Sequence, residues 1–266
     1  ISSNTRIRFY SRIGSNGGTD DYYIDNVQIS STCQAALGGG LDRIDPVATG
    51  DSSSASSMLS GQVNSSGTIT LTAVADTYIK GKSGEQGNNY GNCSTATLDR
   101  ESGDLQRVLV KFNVDSIPAG ATLSNATLQM NAVDNGGSLT IAVHRLTEDW
   151  EEGTGSCTGA AGITNWTQRT STNNWTSGGA TYDPTAAASA TFNSTGIHSW
   201  PLTSLAQAWS SGTTANYGVV VLSPDGGGNR TNTYDSREGA IPPRLVVSYS
   251  ADVFTPPSIV FTQTLP

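Results

Sequence analysis

The run Arg107-Val108-Leu109-Val110-Lys111-Phe112 decides the fold. Its valines and phenylalanine suit a pleated strand, and its alternation puts Val108, Val110 and Phe112 on one face. On either side of it, Thr68-Ile69-Thr70-Leu71-Thr72-Ala73-Val74 alternates in the same way, and Ala126-Thr127-Leu128-Gln129-Met130 follows a Pro118-Ala119-Gly120 turn. Leu139-Thr140-Ile141-Ala142-Val143-His144-Arg145, Tyr217-Gly218-Val219-Val220-Val221-Leu222 and Arg244-Leu245-Val246-Val247-Ser248-Tyr249 complete the series. Short strands with Gly, Asn and Pro turns between them predict an all-β chain, a two-sheet sandwich or jelly roll. One short helix is expected at Thr203-Ser204-Leu205-Ala206-Gln207-Ala208-Trp209, with Thr203 as N-cap and Leu205, Ala208 and Trp209 on one face.

Composition agrees. Hydrophobic residues make up 35% and charged residues 14% of the 266, with 30 glycines. Leu, Lys and Glu are too scarce for a helical protein, and the recurring Val, Ile, Tyr and Trp argue against a disordered one. The net charge is −8, and the lysines are Lys80, Lys82 and Lys111. Such a chain lacks the cationic patch that nucleic acid demands. No apolar run of about 18 residues exists to span a membrane as a helix. Cys33, Cys93 and Cys157 lack metal-finger spacing and sit beside Gly, Ser or Thr. One disulfide plus one remaining thiol, in an oxidising compartment, is the reading they favour.

Four segments are expected. Residues 1–33 read as a hairpin, with Arg6-Ile7-Arg8-Phe9-Tyr10 and Tyr22-Tyr23-Ile24-Asp25-Asn26-Val27-Gln28-Ile29 around a Gly-rich turn. A lone hairpin is marginal in water, so a neighbour or an upstream part is expected to complete it. Residues 34–66 have linker composition. Residues 67–250 form the sandwich, and 251–266 an extended tail with the strand-like run Ile259-Val260-Phe261.

Two resemblances sharpen this. The hairpin, through Ile7 to Phe9 and Tyr22 to Val27, resembles the closing strands of secreted lectin-like jelly-roll modules. The main segment carries an ordered set of motifs: Ala75-Asp76-Thr77-Tyr78-Ile79, Asn88-Asn89-Tyr90-Gly91, Arg107 to Phe112, and Ile117 to Leu123. Then come Thr147-Glu148-Asp149-Trp150, the Trp166 and Trp175 loop, Ala208-Trp209, Asn216-Tyr217-Gly218, Ser236-Arg237-Glu238, Pro243 and Leu245. In that order they resemble the DNRLRE, or disaggregatase-related, domain of secreted bacterial and archaeal proteins. The resemblance implies a jelly-roll sandwich. Some members are carbohydrate-binding modules, and others are repeated units of surface proteins. The landmarks also suggest that Cys93 and Cys157 share one sandwich end and pair there. Cys33 is expected to find no partner in the main domain.

The candidate residues divide by chemistry. No nucleophile elbow, zinc-protease or phosphate-loop motif occurs, and the histidines are His144 and His198. The acidic group Glu148, Asp149, Glu151 and Glu152 reads as a solvated loop, so no enzyme is expected. Asp76 and Glu238 are candidate Ca²⁺ ligands, since calcium gathers oxygens from several loops. The competing expectation is an ion-pair network of Asp76, Arg107, Arg237 and Glu238. Trp166, Trp175 and Tyr90 are candidates for stacking on sugar rings, against the alternative that such aromatics pin a loop. Trp150 and Trp209 read as pins.

Two functions follow. One is a non-catalytic subunit of an extracellular filament or surface fibre, with copies of itself as partners in a head-to-tail polymer. Strand or hairpin exchange would use Ile7, Phe9, Tyr23, Ile24, Val27, Ile259 and Phe261. The alternative is a polysaccharide-binding module of a secreted or cell-surface protein.

Overall fold

The computed structural model describes residues 63–224 and 228–253. The expected hairpin, most of the linker, Cys33 and the tail from residue 254 lie outside the described residues. In chain order the elements are β1 (Val63–Lys80), β2 (Asn88–Asn89), β3 (Thr95–Asp99), β4 (Gln106–Phe112), β5 (Thr122–Asn135) and β6 (Leu139–Arg145). They continue with β7 (Ala160–Ala161), β8 (Ala188–Phe192), β9 (Gly196–Pro201), α1 (Thr203–Ser210), β10 (Val219–Leu222), β11 (Thr231–Asp235) and β12 (Arg244–Val253). The expected all-β, jelly-roll-like architecture is present. The paired strands begin at Val63 and end at Val253, a little beyond the expected 67–250 on both sides.

β1 organises the sheets because it serves two neighbours. Val63–Thr72 pairs antiparallel with β12, and the stretch from Ala73 to Lys80 pairs antiparallel with β4. The pairing slips between Ala73 and Ala75, a bulge at the place where the strand passes from one neighbour to the other, and Val74 there is exposed. The ring β1-β12-β5-β11-β3-β4 closes because β4 also pairs with β1. From β4 the sheet continues through β10, β6 and β8, while β9 adds to β5.

Two cores result, and they explain the sequence pattern. Val108, Val110 and Phe112 of β4 enter the main core with Val219, Val221, Leu139, Ile141 and Val143. The opposite side of the same strands is also buried. Leu109, Val220, Leu222, Ala142 and Ile79 form a second core with Leu146, Trp150, Trp175 and Ala180. A strand buried on both faces reads as a continuous apolar run instead of a clean alternation. The cover on the second face is the long connection between β6 and β8.

The helix differs from expectation at its start. Leu202 occupies the capping position and no side chain caps it. The Thr203 hydroxyl instead accepts from the Ala126 amide at 2.9 Å. Gln207 accepts from the Leu123 amide and donates to the Ala121 carbonyl, so α1 is fastened to the start of β5 by side chains. Ala206 and Trp209 are its buried residues.

The second core predicts a stability effect. Trp175→Ala should cost about 3–5 kcal/mol, the range for removing a buried aromatic. Urea unfolding that shows a loss below about 1 kcal/mol would mean that the cover is not packed on the sheet.

Candidate functional site

The connection from Leu146 to Ala187 is stitched to β6 at both ends. Thr147 donates to the Thr181 carbonyl, Asp183 to that of Arg145 and Ala187 to that of Val143, so the returning chain runs beside the strand it left. In between, the excursion is held by Asn89 of the Asn88-Asn89-Tyr90-Gly91 landmark. Its side-chain oxygen accepts from the Gly91 amide (3.1 Å) and the Gly155 amide (2.7 Å), and its amide nitrogen donates to the Thr164 carbonyl (2.9 Å). Asn89 is fully buried, so each of these bonds replaces one that water would otherwise make. A Cβ at Gly155 would lie 2.0 Å from the Asn89 carbonyl oxygen, which is why glycine stands there. The expected disulfide between Cys93 and Cys157 closes the same clasp across a separation of 64 residues.

These contacts correct two of the three sugar-stacking candidates. Tyr90 is buried, stacked on Tyr78 with ring centroids 4.2 Å apart. Trp175 is buried in the second core, with its indole N–H donating to the Asn165 carbonyl. In each case the large ring goes inside because the sheet face beneath it is apolar and needs covering. Trp150 is a pin, as expected: it is buried, and its indole N–H donates to the Tyr217 carbonyl. Trp166 is half-buried, packed against Gly81 and Gly179, and a Cβ at Gly179 would lie 2.7 Å from its ring.

Trp166 leads to a concavity that the sequence did not suggest. The Arg107 guanidinium lies 4.9 Å from the Trp166 ring and 5.6 Å from that of Tyr182. Arg107 also donates to the Gly179 carbonyl at 2.6 Å. A cavity of about 310 Å³ opens here, lined by Arg107, Ser177, Ala180, Thr181, Tyr182 and Pro184 among others. Ala180 holds a φ of 76°, a left-handed conformation that a residue with a Cβ adopts at a cost. A fixed guanidinium, a half-buried phenol ring and hydroxyls make a site for a ligand with both polar edges and apolar faces.

The acidic cluster lies elsewhere on the domain. Asp76 and Glu238 do come together, and Glu152, read from the sequence as part of a solvated loop, joins them. One carboxylate oxygen of each lies within 4.8 Å of the others. Arg237 pairs with Glu152 (2.6 Å) and Glu238 (2.8 Å), and its backbone N–H donates to Asp76 at 2.7 Å. The Asp76 amide in turn donates to Glu152 at 2.6 Å. Arg107, expected in this network, donates to the Gly179 carbonyl and lies over the Trp166 ring. Burial pushes the Asp76 carboxyl up to about 7, against the opposing pull of the Arg237 backbone N–H. Glu152 is also raised, chiefly by burial.

Among the described residues, neither histidine makes a hydrogen bond to a carboxylate. His198 is buried between the Tyr234 hydroxyl and the Ser194 carbonyl, and burial lowers its pKa. His144 bonds through Nδ1 to the Asp183 carbonyl.

Residues 67–157 match the model of carbohydrate-binding module family 96. The matched span contains Asp76, Asn89, Arg107, Glu152 and both bridged cysteines. Trp166, Tyr182 and Glu238 lie beyond it. No curated protein shows a significant match to the chain.

A pH effect follows from Asp76. The folded state holds this proton up to about pH 7, whereas an unfolded aspartate loses it near 3.8. Its contribution to stability is therefore full below about pH 4 and is lost as pH rises to about 7. With EDTA present, the melting temperature should fall between pH 5 and 7.5, and Asp76→Asn should flatten that slope. Equal slopes in the two proteins would contradict the assignment.

Proposed function

We propose that this chain is a non-catalytic polysaccharide-binding protein, secreted or displayed at a cell surface. The observation that carries this reading is the match of residues 67–157 to a family of carbohydrate-binding modules. The sandwich fold supports it, as does the resemblance to DNRLRE domains, some of which bind carbohydrate. The disulfide suits an oxidising exterior. No helix among the described residues is long and apolar enough to cross a membrane. The filament reading rests on Ile7, Phe9, Tyr23, Ile24, Val27, Ile259 and Phe261, all outside the described residues, and the family match favours its alternative.

In this proposal the sugar chain sits in the cavity beside Arg107, against the Tyr182 ring, with Trp166 packed on the same guanidinium. Calcium belongs to the same proposal at a different place. Asp76, Glu152 and Glu238 offer the carboxylate oxygens that the ion takes, and Arg237 already supplies a positive charge to them. A rise in melting temperature on adding Ca²⁺ at pH 7 would support an ion there, and an unchanged melting temperature would remove it.

Binding is tested by affinity electrophoresis of the full chain through gels containing soluble neutral or acidic polysaccharides. At least one should retard the protein. Tyr182→Ala should weaken that retardation about tenfold, the scale of one lost stacking and hydrogen-bonding contact. No retardation by any polysaccharide, or retardation unchanged in the variant, would overturn the reading or its site.

A further inference from the structure

The segment from Ala180 to Ala187 separates two concavities, and its residues divide between them. Thr181, Tyr182 and Pro184 line the cavity beside Arg107. Asp183, Thr185, Ala186 and Ala187 line a second one, of about 430 Å³, completed by Arg145 and the start of α1. This larger cavity has no part in the site proposed above.

Its polar groups are fixed in advance. Arg145 and Asp183 pair at 3.2 Å. The Asp183 backbone is held twice, its N–H donating to the Arg145 carbonyl at 2.9 Å and its carbonyl facing His144 Nδ1 at 2.8 Å. The Asp183 carboxylate also accepts from the Thr185 amide at 3.0 Å. Groups ordered before a ligand arrives cost little to order when it binds.

The pair also selects a charge class. One positive and one negative group cancel, so an anion meets the Asp183 carboxylate and a cation meets the Arg145 guanidinium. An uncharged polyol satisfies both, accepting from the guanidinium and donating to the carboxylate. Pro201, Leu205 and Ala208 supply an apolar wall, and Ser204 and Thr214 add hydroxyls. The Thr203 hydroxyl already accepts from Ala126 and is not counted. A sugar ring has this same division, with C–H groups on its faces and hydroxyls around its edge.

We propose that the cavity between Arg145, Asp183 and the start of α1 is a second saccharide site, which takes one neutral sugar residue. The inference rests on the carbohydrate reading above and extends it: the domain holds two chains, or two parts of one.

The test is a ¹H–¹⁵N NMR titration of the full chain with cellotriose, mannotriose and xylotriose. At least one should shift the amides of Thr185, Ser204 and Thr214 saturably. Ser204→Trp, which fills the cavity from an exposed helix position, should raise the dissociation constant for these shifts at least tenfold without lowering the melting temperature. Shifts confined to the Arg107 cavity would overturn the second site while leaving the carbohydrate reading intact. The absence of shifts from all three sugars also overturns it, whereas failure of every polysaccharide to retard the protein in the gel removes the reading beneath it.

Discussion

The structure depends on one constraint: the strands β4, β10 and β6 are apolar on both faces. The sandwich interior satisfies one face. Leu109, Val220, Leu222 and Ala142 on the other face need a cover, and the connection from Leu146 to Ala187 provides it. That connection is rich in Gly, Thr and Asn, so its few large rings carry the packing. Trp150 and Trp175 go down onto the sheet, and Trp166 and Tyr182 pack at the edge.

A cover made of irregular chain has many backbone groups to satisfy. Asn89 and Asn165 act as inserted partners for that backbone. Asn165 accepts from the amides of Thr167 and Gln168 and donates to the Gly162 carbonyl. The disulfide adds to this by restricting the unfolded chain, worth about 4 kcal/mol for a loop of this length in the chain-entropy picture. The Asp76 cluster ties the start of the cover, through Glu152, to β1 and to the turn after β11. Both proposed saccharide cavities lie along the returning part of this cover, where its ends are fastened to β6.

The strongest strands were legible because they carry Val, Leu and Phe in dense runs. Those of β3, Thr95-Ala96-Thr97-Leu98-Asp99, and of β8, Ala188-Ser189-Ala190-Thr191-Phe192, were not, because short polar side chains resemble a turn in isolation. Their strand state comes from pairing with β11 and β6. The Cys93–Cys157 bridge and the meeting of Asp76 with Glu238 were foreseen through the ordered motifs. The burial of Tyr90 and Trp175 was not, since an aromatic in a polar loop looks the same whether it faces water or a sheet. Glu152 was missed because its partners lie 76 and 85 residues away. Tyr182 carried no signal beyond being aromatic, and its role emerges only once the chain returns beside β6.

Native-state hydrogen exchange across the cover tests this account most directly. If the cover is half of a second core, the amides of Gly162, Trp166, Trp175 and Gly179, each bonded to another backbone carbonyl, should exchange as slowly as those of β4 and β10. Exchange of these amides at rates near those of an unfolded chain, with β4 and β10 still protected, would contradict it. The cover would then be a loose loop, and neither cavity along it would have a fixed shape.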